Sequence, residues 1–317
     1  MVGFDPNKAR QLTPFDHAAA GAVSGIVTRA VAQPLDVLKI RFQLQVEPLK
    51  LGPGSKYTGL RQAVCRIYQE EGVTAFWKGH VAAQSLSVVF GITQFVSFEF
   101  LTKSVFSRLP ENLTQPVYKP VYHFFCGGIA GCVSTCVSQP VDVLRTRLVS
   151  QGEPKVYKGI RHAVGMMYKE GGIQTFYKGL TPTIIQLFPY TGLQFGFYSF
   201  FKTAWNSAIS KNNEIGSIAS GLCGSAAGFC SKITVYPLDL IKKRLQVQGF
   251  EEARKSFGSV QKCSSLLDCI CSIARHEGLG AFYKGLSPSL LKAVVTAGLT
   301  FSVYEQTCAI LSYRHGS

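Results

Sequence analysis

Three stretches of the chain share one pattern: PLDVLKIR at residues 34–41, PVDVLRTR at residues 140–147 and PLDLIKKR at residues 237–244. In each, an aspartate follows the proline by two positions, a basic residue by five and an arginine by seven. Each stretch also follows a Gly-xxx-Gly pair and precedes an aromatic-Lys-Gly triplet. Chance does not match so many positions three times, so the pattern indicates three tandem repeats. We place the repeats at residues 13–106, 117–203 and 214–311.

The composition favours a membrane protein. Of the 317 residues, 46% are hydrophobic and only 16% are charged, whereas about a quarter of the residues of a soluble domain carry charge. The 22 Phe and 13 Tyr supply enough apolar surface to exclude a disordered chain. The net charge of +15 fits nucleic acid, anionic lipid or an anionic small molecule as partner. The ten cysteines lie at no zinc-ligand spacing, so we expect reduced thiols and no metal site.

Each repeat contains two long apolar segments. Three of them, at residues 81–98, 121–141 and 180–201, contain no Lys, Arg, Asp or Glu. At roughly 20 residues each can cross a bilayer core of about 30 Å as a helix. The other three segments carry at least one charged residue each, and they lie at residues 15–38, 217–240 and 286–303. The sequence therefore predicts an all-α membrane protein with six transmembrane helices.

The positive charge is concentrated in three loops. Residues 39–78, 142–178 and 242–284 hold seven, seven and eight Lys or Arg. By the positive-inside rule these loops face the inner compartment, and with six spans both termini face the outer one. The loops contain periodic stretches at 60–68 and 266–274, which are typical of short helices on the membrane surface. The alternative is a loop that is merely charged and solvated.

The repeated charges predict a ring. In the simplest interpretation, each aspartate pairs with the basic residue three positions later in its own helix, and each such ion pair contributes a few tenths of a kcal/mol. Intramembrane charges are costly without partners, and threefold pseudosymmetry would instead bring each aspartate to a basic residue of a neighbouring repeat. We favour that ring, which would close a central pathway at one end. Its members are Asp36, Lys39, Asp142, Arg145, Asp239 and Lys242.

A binding site is expected between the helices. Arg29, Lys232 and Lys292 fall inside predicted helices with no acidic residue on the same helix face. An unpaired cation there is expensive, so an anionic ligand is its natural partner, although each could instead reach a lipid headgroup. One helical stripe carries further candidates at equivalent positions. They are Phe90, Gln94, Gln186, Tyr190, Gln194, Thr296 and Thr300. The site suits a phosphorylated compound with a flat ring, on which Phe90 or Tyr190 could stack.

These motifs resemble the mitochondrial carrier family over nearly the whole chain. Its motif is Pro-x-acid-x-x-base-x-base, then acid-Gly, four residues and aromatic-base-Gly. Repeats one and three match it, whereas Gly171 and Gly172 replace the acid-Gly pair in repeat two and Glu170 lies one position early. We expect this departure to weaken one loop contact. The resemblance implies a matrix gate at the charged ring.

The resemblance also implies further gate residues. Glutamines that brace the matrix gate would be Gln43 and Gln246, and Val149 stands in the equivalent place in repeat two. A second gate, on the cytoplasmic side, would use Glu99, Lys202 and Glu305. There at most one complete pair is possible, between Glu99 and Lys202, so we expect this gate to be weak.

The implied activity is solute transport by alternating access across the mitochondrial inner membrane. Several stretches outside the family motif, including residues 151–157, 188–195 and 285–292, also resemble the sequence of a particular group of family members. That closer resemblance implies import of thiamine pyrophosphate in exchange for nucleotides, with no cofactor. The chemistry of the residues alone does not distinguish this carrier from a nucleotide carrier or a coenzyme A carrier. The expected partners are the anionic substrate and inner-membrane lipid, including cardiolipin, but not nucleic acid, and the expected state is a monomer.

The sequence disfavours two other classes of function. A membrane enzyme is disfavoured because the chain has no HExxH, GxSxG or Walker motif. His17 and His123 share a register in repeats one and two, but Ser220 fills the third place, so they do not form a metal triad. A carrier-like receptor without transport would show a degraded ring, whereas all six ring residues are present.

Overall fold

A computed structural model describes residues 13–47, 55–108, 119–208, 217–250, 263 and 265–314. Six long helices account for most of them. They are α1 (Pro14–Leu44), α3 (His80–Arg108), α4 (Lys119–Ser150), α6 (Leu180–Ala208), α7 (Ser217–Gln246) and α9 (Leu286–Arg314). Three short helices follow α1, α4 and α7: α2 (Leu60–Glu71), α5 (Ile160–Gly171) and α8 (Leu266–His276). The all-α prediction with two long helices in each repeat is confirmed.

The long helices extend beyond the apolar segments that predicted them. Helix α1 begins with a capping box between Thr13 and Asp16 and continues through Pro34 to Leu44. Helices α4 and α7 likewise run through Pro140 and Pro237 to Ser150 and Gln246. The repeated charged residues therefore lie on the last turns of helices and not in loops.

The short helices are amphipathic. In each, two residues four positions apart are buried, and these are Ala63 and Ile67, Ala163 and Met167, and Cys269 and Ile273. This spacing places both side chains on one helix face. The predicted stretches at 60–68 and 266–274 form α2 and α8, each with a few more residues than predicted. Each short helix leads through a 3₁₀ turn into the next long helix.

The three repeats close into a bundle. The most extensive packing joins successive repeats: α3 lies against α4, α6 against α7, and α9 against α1. The last of these contacts brings the end of the chain back to its beginning. Buried apolar clusters concentrate at the charged end, where Leu38, Phe42 and Tyr57 pack with Ala63 and Ile67 in repeat one. Equivalent clusters lie in repeats two and three.

The bundle is tight at that end and looser along the helices. Gly-xxx-Gly pairs predict close helix approach, and in repeat two a Cβ added at Gly131 would lie 3.0 Å from Leu187. In repeats one and three the expectation is wrong, because a Cβ at Gly21, Gly25, Gly224 or Gly228 would meet nothing within 4 Å. In repeat three, Gly224 and Gly228 lie on the wall of a large cavity, which separates the helices at this level.

The outer surface is apolar. Phe95, Phe195 and Phe301, at equivalent positions of α3, α6 and α9, are exposed. Within the described part of the chain, three segments have the length and hydropathy of a membrane span: Val73–Val105, Tyr122–Ser150 and Leu279–Tyr313. Exposed aromatic side chains are favourable on a surface that faces lipid and unfavourable in water.

Candidate binding site and its charged ring

The six repeated charges form a ring of pairs between repeats. Lys39 of α1 lies 2.6 Å from Asp239 of α7. Arg145 of α4 lies 2.6 Å from Asp36 of α1, and Lys242 of α7 lies 2.9 Å from Asp142 of α4. None of these ion pairs lies within one helix. The ring ties α1, α4 and α7 together and closes the bundle at its charged end.

Two glutamines support the ring from below. The amide of Gln43 donates to Asp239 at 3.1 Å, and that of Gln246 donates to Asp142 at 2.8 Å. In repeat two, Val149 is buried instead in an apolar cluster with Ile40 and Val247. Asp36 therefore has no glutamine partner among the described residues.

Lys243 belongs to the ring network, and sequence reasoning missed it. Its ammonium group donates to Asp142 at 3.0 Å, to Thr146 at 2.9 Å and to Gln246 at 2.9 Å. Only 6% of the residue is exposed. The equivalent positions hold Ile40 and Thr146, so this cation breaks the threefold symmetry. The only signal in the sequence was the run Lys242-Lys243-Arg244, which looks like ordinary loop charge.

A large internal space lies directly above the ring. It comprises cavities of about 800, 440 and 390 Å³, and Lys39 contributes to the walls of all three. The largest contains Gln186, Tyr190 and Lys232. Arg29 and Phe90 lie on the wall of the smallest. These volumes are ordinary for a site that encloses a small molecule.

The three predicted cations all lie on the walls of this space, but they differ in their hydrogen-bond and ion-pair partners. Lys292 has no acidic residue on its own helix face, as the sequence indicates, but it donates to Asp36 of another helix at 2.5 Å and is therefore paired. Its partner lies on α1, which packs against α9, and counting along one helix could not find it. Lys232 donates to the carbonyl oxygen of Ser289 at 2.7 Å. Arg29 is exposed and has no hydrogen bond or ion pair with any residue that the structure describes.

The remaining candidates occupy different levels of the cavity. Thr296 and Thr300 of α9 lie in the cavity with Lys232 and Lys292. The Thr296 hydroxyl is buried and donates to no described residue. Gln94 and Gln194 are exposed one helical turn above Phe90 and Tyr190 and do not contribute to these cavity walls.

Among the residues that the structure describes, those at the opposite end of the bundle form no comparable ring. Glu99 pairs with Lys103 on its own helix at 2.7 Å, and its side chain is 67% exposed. Lys202 and Glu305 are exposed, and neither has an ion pair within the described ranges. The pair predicted between Glu99 and Lys202 is thus not formed in this conformation, which is closed only at the charged end.

The loops at the charged end are held by a second set of pairs. Arg41 donates to both carboxylate oxygens of Glu71 at 2.6 and 2.7 Å, and Lys78 reaches Glu71 at 2.5 Å. Burial opposes ionisation of Glu71, but the hydrogen bonds and positive charges of Arg41 and Lys78 together outweigh it, so the pKa of Glu71 is lowered. Arg244, Lys284 and Glu277 form the same arrangement in repeat three.

Repeat two reaches the same arrangement with Glu170. Arg147 donates to it at 2.5 and 3.0 Å, but Lys178 lies 3.3 Å away, compared with 2.5 Å for Lys78 and Lys284 in the other repeats. Its side chain is 26% exposed, whereas those of Glu71 and Glu277 are 2% and 4% exposed. The one-residue shift leaves the contact formed but looser.

Comparison with known proteins identifies relatives along the whole chain. A family model described as "Mitochondrial carrier protein" matches residues 10–109, 116–208 and 213–315. A human protein named "Mitochondrial thiamine pyrophosphate carrier" is 52% identical over 315 residues, which cover 98% of this chain and 97% of the human protein. The bovine protein of that name is 51% identical over 97% of this chain and 96% of its own length. A maize protein named "Mitochondrial thiamine diphosphate carrier 1" is 39% identical over 96% of this chain and 95% of its own length.

Proposed function

The chain belongs to the mitochondrial carrier family, and we propose that it imports thiamine pyrophosphate into the matrix in exchange for nucleotides. The observation that carries this proposal is the full-length identity to carriers named for that substrate. A cavity with three cations at its walls suits the diphosphate of such a ligand, because phosphate oxygens accept charge-assisted hydrogen bonds from Arg and Lys. The protein performs no chemistry on the substrate.

The cavity offers separate places for the two ends of the substrate. Of the three cations at the cavity, Arg29 alone has no hydrogen bond or ion pair with a described residue, and its planar guanidinium group can bind two phosphate oxygens at once. Tyr190 lies in the largest cavity with Gln186. Its ring can stack on the pyrimidine or thiazolium of the substrate, and the positive charge of the thiazolium favours contact with an aromatic face. The diphosphate would then lie between Arg29, Lys232 and Lys292.

Lys292 links the substrate site to the ring. It contacts Asp36, which also pairs with Arg145. A bound diphosphate competes with Asp36 for this ammonium group. Substrate binding would therefore withdraw one of two cations from a ring aspartate and loosen the closed end. A ligand shifts a conformational equilibrium only through such differential contacts.

The orientation follows from the charge of the loops. We assign the charged ring to the matrix side and both termini to the intermembrane space, by the positive-inside rule. Glu99, Lys202 and Glu305 would form the cytoplasmic gate when the ring opens. Since the three repeats of one chain enclose one pathway, the protein would act as a monomer, with cardiolipin as an expected lipid partner at the membrane surface.

Uptake into proteoliposomes tests the proposal. Labelled thiamine pyrophosphate should enter saturably only when the vesicles contain a nucleotide such as ADP. Arg29→Ala, Lys232→Ala and Lys292→Ala should each reduce uptake by at least tenfold. Lys169→Ala, which removes an exposed lysine of α5, is the matched control and should transport normally. Vigorous exchange of ADP or coenzyme A by the same preparation, without thiamine pyrophosphate uptake, would overturn the named substrate.

A further inference from the structure

The three repeats differ at one buried pair of positions beside the surface helices. In repeats one and two, a tyrosine lies three residues before the short helix. Its hydroxyl accepts a hydrogen bond from the arginine that follows the proline of the repeated motif by seven positions. Arg41 donates to Tyr57 at 3.3 Å and Arg147 donates to Tyr157 at 3.2 Å. Each tyrosine packs in one cluster with an alanine six residues later, Ala63 or Ala163. The pair at these positions is therefore Tyr and Ala in both repeats.

Repeat three carries a thiol at both positions. Cys263 lies three residues before α8, and Cys269 follows Cys263 by six positions, within α8. Both are buried, with 2% and 0% exposed, in the same apolar cluster with Leu240 and Phe282. The pKa of each thiol is shifted by a hydrogen-bonding interaction with the other. Repeat three thus holds two thiols in one buried cluster where repeats one and two hold a tyrosine ring and a methyl group.

The surroundings distinguish the two thiols. The hydrogen bond from Cys269 lowers the pKa of Cys263, burial opposes this, and the charge of Arg244 adds to the lowering. The same hydrogen bond, together with burial, raises the pKa of Cys269. The thiolate is the reactive form of cysteine. Cys263 is therefore the natural nucleophile of the pair, and Cys269, in the same buried cluster, is the thiol that can resolve its oxidised form.

We propose that Cys263 and Cys269 form a reversible redox site that closes to a disulfide on reaction with hydrogen peroxide. The Cys263 sulfur attacks one peroxide oxygen, the O–O bond breaks, and a sulfenic acid and one water are formed. The Cys269 sulfur then attacks the sulfenic sulfur, the S–O bond breaks, and the hydroxyl leaves as water with the Cys269 proton. Two thiols are oxidised, and the peroxide is reduced to two waters.

Two other roles for the pair fit less well. Among the residues that the structure describes, no group of three or more His, Cys, Asp or Glu could hold a metal ion, so the pair lacks further ligands. Simple core packing needs neither sulfur, since Ala serves at the Cys269 position in repeats one and two. A disulfide in a reducing compartment is usually transient and redox-sensing, which fits a reversible site. This inference is independent of the substrate carried.

Peptide mapping of the purified full-length protein tests the proposal. Trypsin cleaves after Lys262 and Arg275, so Cys263, Cys269 and the exposed Cys271 fall in one peptide. Without oxidant, this peptide from the denatured protein should take three N-ethylmaleimide labels. After treatment with hydrogen peroxide, the same peptide should take only one label. Its mass without labels should be lower by two hydrogens than that of the reduced peptide. Dithiothreitol should restore all three.

Two variants assign the bond. Cys269→Ala installs the residue found in repeats one and two, so the fold should tolerate it, and it should abolish the change. Cys271→Ala, two positions along the same helix, should leave the internal disulfide intact. The proposal fails if the wild-type peptide keeps all its labels after peroxide. It also fails if Cys271→Ala, and not Cys269→Ala, prevents the bond, or if Cys263 is oxidised only to sulfinic acid.

Discussion

Replacing Lys243 with methionine should loosen the matrix end of the bundle without dismantling it. Two of the three hydrogen bonds of Lys243 cross from α7 to α4, and these go to Asp142 and Thr146. Opening the ring must separate these helices and break both bonds. Asp142 keeps Lys242 and Gln246 in the variant, and Thr146 keeps its hydrogen bond to Gln246. No buried group therefore loses its last partner.

The size of the effect follows from the chemistry of the lost contacts. A hydrogen bond to a charged group contributes about 1.5–3 kcal/mol, and an interaction of 1–3 kcal/mol corresponds to roughly 5- to 150-fold in an equilibrium. Removing a buried ammonium group also removes its desolvation penalty, which offsets part of the loss. We therefore expect the ring to open about tenfold more readily, near the lower end of that range.

Efflux without counter-substrate measures this opening. The empty carrier must break the ring unaided before it can return, so loss of labelled thiamine pyrophosphate from preloaded proteoliposomes should be about tenfold faster for Lys243→Met. Exchange at saturating substrate on both sides should change much less, because bound substrate already loosens the ring through Lys292. A normal exchange rate also shows that the variant is folded.

Matched variants at the same level of the bundle make the test decisive. Ile40→Met places the same side chain at the equivalent position of repeat one and should leave efflux unchanged. Lys243→Arg retains the positive charge and should lie close to wild type. Efflux from Lys243→Met that stays within twofold of wild type, with exchange intact, would refute a role for Lys243 in closing the matrix end.

Three further changes have defined outcomes. Burial opposes ionisation of Glu277, but Arg244 and Lys284 together outweigh it and lower the pKa of this carboxyl. The stabilisation that the ionised carboxylate provides is therefore present above about pH 4 and is lost as pH falls through the lowered pKa. Below that pH, the melting temperature should fall more steeply for wild type than for Glu277→Gln. Gly179 has φ +76°, and an added Cβ would lie 3.0 Å from a backbone carbonyl oxygen. Gly179→Ala should therefore lower the free energy of unfolding by about 1–2 kcal/mol. Gly59→Ala is the control and should have little effect, because an added Cβ there would meet nothing within 4 Å. Lys202→Ala should reduce the matrix-open population, measured by spin-label distances, and an unchanged population would exclude its pairing with Glu99.

Much of the fold could be predicted because it repeats. Three copies of Pro-x-Asp-x-x-base in one register predicted the repeats and the aspartates and bases that meet in the ring, and two apolar segments in each repeat predicted the six long helices. The pattern is local, and threefold symmetry extends it to contacts between repeats. Glycines were less informative, since small residues permit close packing but do not require it. Whether a neighbouring helix touches Gly224 depends on the width of the cavity that this residue lines in this conformation.

Asymmetric contacts were decided only by the tertiary structure. Lys292 and Asp36 are 256 residues apart and meet because α9 packs against α1. Lys243 enters the ring because the α4 side chains that face it, Asp142 and Thr146, offer oxygen atoms. Such pairings depend on which helices are neighbours and on the rotation of each about its axis. The sequence by itself determined which charges must find partners in the membrane, since unpaired charges are costly there; packing between distant helices determined which partners they found.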